Sequence, residues 1–117
     1  MDGANVEIHE LVGDDNIYIF GLNADEAEAL AKSGAYSANE EARGNKTVGA
    51  IMQCLTNGVL SRRIFNNVYG DLMYRNDEYF VLKDFQSYLD TWKRMTSDYK
   101  DREKWNRMSL VNIAKDA

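Results

Sequence analysis

Asp14-Asp15-Asn16-Ile17-Tyr18-Ile19-Phe20-Gly21 is the stretch whose reading decides the fold. Its middle four residues are β-branched or aromatic and apolar on both sides, with turn formers at each end. A strand with one wet face alternates; a strand apolar on both faces belongs inside an α/β sheet covered by helices. The spacing therefore predicts a buried strand at Ile17-Tyr18-Ile19-Phe20. Such a strand needs neighbours to pair its backbone groups, and the rest of the chain supplies few.

Upstream, Met1-Asp2-Gly3-Ala4-Asn5-Val6-Glu7-Ile8 reads as a turn feeding a helix, with Asp2 as a candidate N-cap. Ile8, Leu11 and Val12 share one side, and Gly13 stops the run. The alternation of Val6 and Ile8 with Glu7 and His9 fits a strand equally well, so pattern alone leaves both open. Downstream, Asn23 caps a helix from Ala24 to Lys32. Glu26 stands three residues on in a capping-box arrangement, and Ser33-Gly34 ends the helix. Asn39 starts a short helix through Arg43, and Gly44-Asn45 breaks it.

Val48, Ile51, Met52, Leu55 and Val59 then mark an amphipathic helix ended by Asn57-Gly58. Ile64, Phe65, Val68, Tyr69, Leu72 and Met73 form the strongest helical periodicity, closed by Tyr74-Arg75-Asn76-Asp77. Tyr79-Phe80-Val81-Leu82 reads as a second short strand or an extended lead-in. From Asp84, a plausible cap, a long helix carries Phe85, Tyr88, Leu89, Trp92, Met95 and Tyr99. Asp101 caps a last helix whose Trp105, Met108, Leu110, Val111, Ile113 and Ala114 run more than halfway round, as in a helix buried between layers.

The 117 residues make one domain's worth, 44% hydrophobic and 28% charged, which is the composition of a globular protein. With 14 basic against 19 acidic residues the net charge is −5, and no basic block offsets it. Nucleic acid and anionic membranes are therefore not expected partners. No apolar run reaches bilayer length and no signal peptide opens the chain. Cys54, the one cysteine, allows no internal disulfide, so the cytoplasm is the expected compartment. There is no proline, so glycine and asparagine must make the breaks.

No catalytic constellation stands out. Asp25, Glu26 and Glu28 could be an acidic metal site, but helix-start electrostatics explains them without a metal. Gly44-Asn45-Lys46-Thr47 lacks the spacing of a phosphate loop. Cys54 reads as an inert thiol beside an apolar stripe, and His9 as solvent-facing. Tyr88, Trp92, Tyr99 and Trp105 could stack on a sugar or base, yet aromatics at helical steps normally pack inward. No catalytic, cofactor-binding or metal-binding residue is assigned.

Several stretches fall in the order of one family. Asp2 to Glu7, Asp15-Asn16-Ile17-Tyr18-Ile19-Phe20-Gly21, Asn23-Ala24-Asp25-Glu26-Ala27-Glu28-Ala29-Leu30 and Gly34-Ala35-Tyr36 come first. Asp84-Phe85-Gln86-Ser87-Tyr88, the run from Tyr99 to Met108, and Val111-Asn112-Ile113-Ala114 follow. Together they resemble the late C-terminal region of the α-glucan (glycogen, starch or maltodextrin) phosphorylases over nearly the whole chain. One departure is local: Leu60-Ser61-Arg62-Arg63 crosses where relatives usually have a longer, proline-bearing loop.

The resemblance implies a parent of two Rossmann-like domains facing across a cleft (GT-B type), transferring a glucosyl unit to inorganic phosphate. It also implies pyridoxal phosphate on a lysine, acting through its phosphate. That lysine and its glycine-rich turn lie, in the family, just upstream of Asp2-Gly3-Ala4-Asn5. None of Lys32, Lys46, Lys83, Lys93, Lys100, Lys104 or Lys115 has that context, so no family site residue is carried over.

The expected architecture is mainly α with one or two short strands, the helical C-terminal part of a Rossmann-like domain. The expected organisation is a single C-terminal subdomain fragment over 1–117, with no cofactor of its own and no activity in isolation. Both ends look cut, with Met1 at an interior family position and the chain stopping at Lys115-Asp116-Ala117. Uncovered apolar surface predicts a homo-oligomer through Ile17, Ile19 or the face with Trp105 and Met108. The alternative is a free-standing, non-catalytic helical interaction module.

Overall fold

The structure, a computed structural model, describes residues 3–60 and 65–115. Seven α-helices run through them: α1 (Gly3–Val12), α2 (Ala24–Ser33), α3 (Ala38–Gly44), α4 (Lys46–Thr56), α5 (Asn66–Tyr69), α6 (Val81–Lys100) and α7 (Arg102–Lys115). A 3-10 turn at Asp14–Asn16 follows α1, and α5 continues into a π-helical turn at Gly70–Tyr74. The chain divides into two compact units. One comprises Asp25–Gln86; the other joins residues up to Ala24 with those from Ser87 onward.

The central unit is built on two helix junctions. Ser37 accepts the Glu40 N–H at 3.3 Å and starts α3 two residues before the expected Asn39. Asn45 then serves two helices. Its backbone N–H closes α3 on Glu41 O, while its side chain accepts from the N–H groups of Thr47 and Val48 at 3.0 and 3.2 Å. Because one residue both ends α3 and starts α4, the two helices come close. A Cβ on Gly49 would lie 2.8 Å from the Ala42 carbonyl oxygen, so only glycine fits there. Val48 and Met52 of the expected stripe are buried with Ala38 and Leu82, and Leu55, Leu72 and Phe85 pack against them. Each large member is worth about 1.5–3 kcal/mol of burial. Ile51 stays exposed, and Val59 lies beyond the helix end at Thr56.

In the terminal unit α1 is a helix, which settles the open reading of the first stretch; Gly13, at φ 78°, ends it. Asp2 lies outside the described residues, as do the crossing at 61–63 and Ile64. Asp101 caps α7 as expected, accepting the Lys104 N–H at 3.1 Å.

The strand expectation is corrected. Ile17 is extended, at φ −141° and ψ 152°, but no strand forms among the described residues. A ladder needs a second extended segment, and among the described residues none pairs with residues 17–20. Side chains hold the segment instead. Thr91 donates to Ile19 O at 3.4 Å, Asn112 to Asn16 O at 2.8 Å, and Gly21 N–H donates to Ser87 Oγ at 3.0 Å.

The second short strand at Tyr79-Phe80-Val81-Leu82 is also absent: a turn carries the chain into α6, which starts at Val81. Asp77 is the cap, accepting the Val81 and Leu82 N–H groups at 2.9 and 2.7 Å, so α6 begins ahead of Asp84. Nor is α7 wrapped between layers, because Met108 is buried while Leu110 and Ile113 are each 66% exposed.

Candidate functional site

Two polar clusters are the places where chemistry could concentrate, one in each unit. In the central unit the chain makes a left-handed turn through Asn76, Asp77 and Phe80, with φ of 57°, 49° and 57°. Three non-glycine residues in that region cost about 1–3 kcal/mol each, so something must hold them. Hydrogen bonds do. Asn76 accepts the Ala38 N–H at 2.8 Å and donates to Tyr36 O at 2.8 Å. Asp77, 2% exposed, receives the Tyr36 hydroxyl at 2.7 Å besides the two N–H groups of α6. Both carboxylate oxygens are thus engaged.

Burial, with the Asp77 hydrogen bond second, pushes the Tyr36 hydroxyl far above the ordinary tyrosine range. The Tyr36 and Phe80 rings meet edge to face at 5.0 Å. Beside them lies an open cleft of about 250 Å³, lined by residues that include Leu30, Tyr36, Arg75, Asn76 and Glu78. A protonated phenol and a fully bonded carboxylate make a clamp on α6.

In the terminal unit Tyr18 donates to Asp98 Oδ2 at 2.9 Å, and Lys104 Nζ donates to Asp98 Oδ1 at 2.6 Å. The Lys104 and Tyr18 bonds hold the Asp98 carboxyl below its usual range. Desolvation, then the Asp98 bond, pushes Tyr18 up to about 12. Trp105 stacks on Tyr18 at 6.0 Å, and Tyr99 meets it edge-on at 5.1 Å. The Arg94 guanidinium lies 5.3 Å over the Tyr18 ring. The adjoining cleft, about 290 Å³, is lined by Asn16, Tyr18, Trp105, Met108, Ser109 and Asn112. Here too both oxygens of the carboxylate are taken.

The sequence candidates separate in space or find local partners. Among the described residues no three His, Cys, Asp or Glu side chains come together to hold a metal ion, so Asp25, Glu26 and Glu28 form no such group. Glu28 instead pairs with Lys32 one turn on. His9 pairs with the exposed Asp14 and keeps a third of its side chain in solvent. Cys54 is free and half-buried. Tyr88, Trp92 and Tyr99 are exposed, against the inward-packing expectation, while Trp105 is half-buried.

Lys83 pairs with Glu41 at 2.9 Å and Lys104 with Asp98. No lysine lines either cleft described above. The two clusters were not visible in sequence, because their members lie 41 and 80 residues apart.

Comparison with known proteins gives the class. The family model for carbohydrate phosphorylase matches residues 1–117. The chain is 44% identical over 115 residues to glycogen phosphorylase of Bacillus subtilis, covering 97% of this chain and 14% of that protein. It is 38% identical over 120 residues to the alpha-glucan phosphorylase H isozyme of Solanum tuberosum, again 97% and 14%. It is 33% identical over 117 residues to human liver glycogen phosphorylase, with the same coverage. The chain belongs to the carbohydrate phosphorylase family. It spans about one seventh of the length of the curated relatives it matches. No helix among the described residues is long and apolar enough to cross a membrane.

Proposed function

We propose that this chain is a non-catalytic, helical C-terminal subdomain of an α-glucan phosphorylase of GT-B type, and that it works by supporting a glucosyl-transferring domain built by other residues. In the parent enzyme glucosyl transfer to phosphate would use pyridoxal phosphate, and the site would be cytoplasmic. The observation that carries this reading is the match itself, which covers 97% of this chain but 14% of the relative. The geometry supports it: both carboxylate clusters are spent on holding helices, and Lys83 and Lys104 are tied to carboxylates. An aldimine-forming pyridoxal phosphate site needs an available lysine facing a phosphate cradle, and no lysine lines either of the two clefts described.

The test is direct. Incubated with pyridoxal phosphate and borohydride, the chain is expected to gain no stoichiometric adduct at one lysine, and to release no glucose 1-phosphate from glycogen. A single trapped lysine accompanied by turnover would end the non-catalytic reading.

A second reading concerns the isolated chain. Ile8, Leu11, Leu110 and Ile113 are exposed, so at high concentration the chain alone is expected to self-associate through such faces. Sedimentation equilibrium reads this; a monomer persisting into the high-micromolar range would end it.

A further inference from the structure

We propose that Asn57 is a site of spontaneous covalent modification in this chain. The Gly58 backbone nitrogen attacks its side-chain amide, and the cyclic imide that results opens to aspartate and isoaspartate. The inference stands apart from the phosphorylase reading, since it rests on how α4 ends.

The helix runs to Thr56, and the Asn57 N–H closes it on Gln53 O at 3.1 Å. The chain then turns through Gly58 at φ 76°, in the left-handed region that favours glycine. A glycine nitrogen has no Cβ beside it to hinder its attack, so the residue that this helix end requires is also the one that makes Asn57 reactive. Asn57 is the only asparagine in the sequence followed by glycine.

Asn57, Gly58 and Val59 are all exposed, so water reaches the group. Among the described residues the Gly58 N–H makes no hydrogen bond. The Asn57 side chain is held there by one contact, the Val59 N–H donating to its Oδ1 at 3.0 Å. An exposed bond of that kind is exchanged for water at little net cost. At ψ 1° the Gly58 nitrogen is turned out of line with Cγ, so attack follows a rotation about the Asn57 Cα–C bond. That rotation gives up the Val59 bond and no hydrogen bond of Gly58.

Other asparagines are locked. Asn45 accepts from Thr47 and Val48 and donates to Gln86 at 3.1 Å. Asn76 is bonded at both ends of its amide, and Asn112 donates to two carbonyls. The residue after each of these carries a side chain.

The reaction consumes only water. The Gly58 nitrogen gives its proton to water or hydroxide as it bonds to Cγ, and the carbonyl electron pair moves onto Oδ1. The pair then returns, the Cγ–Nδ2 bond breaks, and the departing nitrogen takes a proton from water and leaves as ammonia. Water adds to either carbonyl of the imide. Cleavage between Gly58 N and Cγ restores the main chain with aspartate. Cleavage between the Asn57 main-chain carbonyl and Gly58 N leaves the chain running through Cβ and Cγ, which is isoaspartate.

Both products place a carboxylate at the C-terminal end of α4, where the helix dipole disfavours negative charge. Isoaspartate also adds a main-chain carbon ahead of the point where the Phe65 N–H bonds back to Leu55 O at 2.9 Å.

The experiment keeps the folded 117-residue chain warm at mildly alkaline pH and follows every asparagine-containing peptide by mass spectrometry. Isoaspartate is read by labelled methyl transfer with an isoaspartyl methyltransferase. The Asn57 peptide is expected to exchange ammonia for water at least about tenfold faster than any other, with isoaspartate among its products. Gly58→Ala should slow that conversion by more than about tenfold. Because alanine is strained at this φ, the ranking of asparagines within the unaltered chain decides the site without any variant.

An equal or faster conversion at another asparagine overturns the proposal. So does an intact Asn57 in the chain when a synthetic peptide of residues 53–60 has converted in the same buffer. Aspartate formed without isoaspartate would assign direct hydrolysis and overturn the imide route, as would an unchanged rate in Gly58→Ala.

Discussion

The central unit closes a core of its own and the terminal unit does not. Between Asp25 and Gln86, Ala38, Val48, Met52 and Leu82 are buried together, and Asp77 beneath them has every oxygen bonded. In the other unit, only Val12 and Met108 among the described hydrophobic residues are buried, while Leu11, Trp92, Leu110 and Ile113 face outward. Both units are helical and similarly rich in apolar residues. What separates them is where the helix junctions fall. Asn45 and Asp77 force α3, α4 and α6 to share a small volume, so side chains meet. In the terminal unit the one-residue junction at Asp101 joins α6 to α7 alone, and Leu11 of α1 and Leu110 and Ile113 of α7 stay exposed.

The largest expected effect tests whether Asp77 is what closes the central unit. Asp77→Ala strands the Tyr36 hydroxyl and two N–H groups at the start of α6, and leaves the left-handed turn with the Asn76 bonds but without those of the Asp77 carboxylate. Urea unfolding followed by circular dichroism should show a loss of about 3 kcal/mol or more. A loss under about 1 kcal/mol would mean that packing alone holds the unit.

A paired truncation sharpens the contrast. Met52→Ala removes a side chain from a closed core and should cost about 2–4 kcal/mol. Met108→Ala, in the open unit, leaves a gap that mobile neighbours or water can fill, and should cost about half as much. Equal costs in the same unfolding assay would show that the two units are packed alike.

Local signals were legible in the sequence, and signals that depend on distant residues were not. Periodicity located α4, α6 and α7 because an apolar stripe is a property of neighbouring turns. Asp101 was legible as a cap because it stands directly before its helix. Asp77 was not, since it caps α6 from within a left-handed turn and so lies four residues ahead of Val81. Asn45 looked like a break and is also a start. Residues 17–20 have the composition of a strand, but a strand is a relation between two segments and its partner is not in the described chain. The aromatic stripe shows the same limit. Spacing puts Trp92 and Tyr99 on one face, while exposure of 47% for Trp92 shows that this face is only partly covered. Neither hydroxyl–carboxylate pair had a sequence signal, because each joins residues far apart.

A smaller effect, opposite in sign to the usual rule, tests the α3–α4 junction. Replacing a helical glycine by alanine ordinarily stabilises by about 1 kcal/mol. At Gly49 the new Cβ meets the Ala42 carbonyl oxygen at 2.8 Å, which is backbone and cannot rotate away. Gly49→Ala should therefore destabilise by about 1–2 kcal/mol as the helices part. A gain in stability would show that the central unit is looser than its geometry indicates.

The smallest effect lies in the open unit and is read through pH. Tyr18 is held protonated up to about 12, against an ordinary 10.0, chiefly by burial and then by its bond to Asp98. A tyrosine in the unfolded chain loses its proton near the ordinary value, while the folded one keeps it. Above that value the unfolded state binds fewer protons, so stability falls as pH rises through the interval between the two values. Below it the contribution is present in full.

Tyr36 is raised further and adds to the same alkaline loss. Tyr18→Phe removes the hydroxyl and leaves Asp98 bonded to Lys104 at 2.6 Å, so the cost at neutral pH should be only about 1 kcal/mol. The variant should also lose the part of the alkaline slope that Tyr18 supplies, keeping the part due to Tyr36. Denaturant unfolding at a series of pH values from neutral to strongly alkaline measures both. If the slope is unchanged in the variant, the Tyr18 hydroxyl is solvated, and the terminal unit is more open than the contrast between the two units already requires.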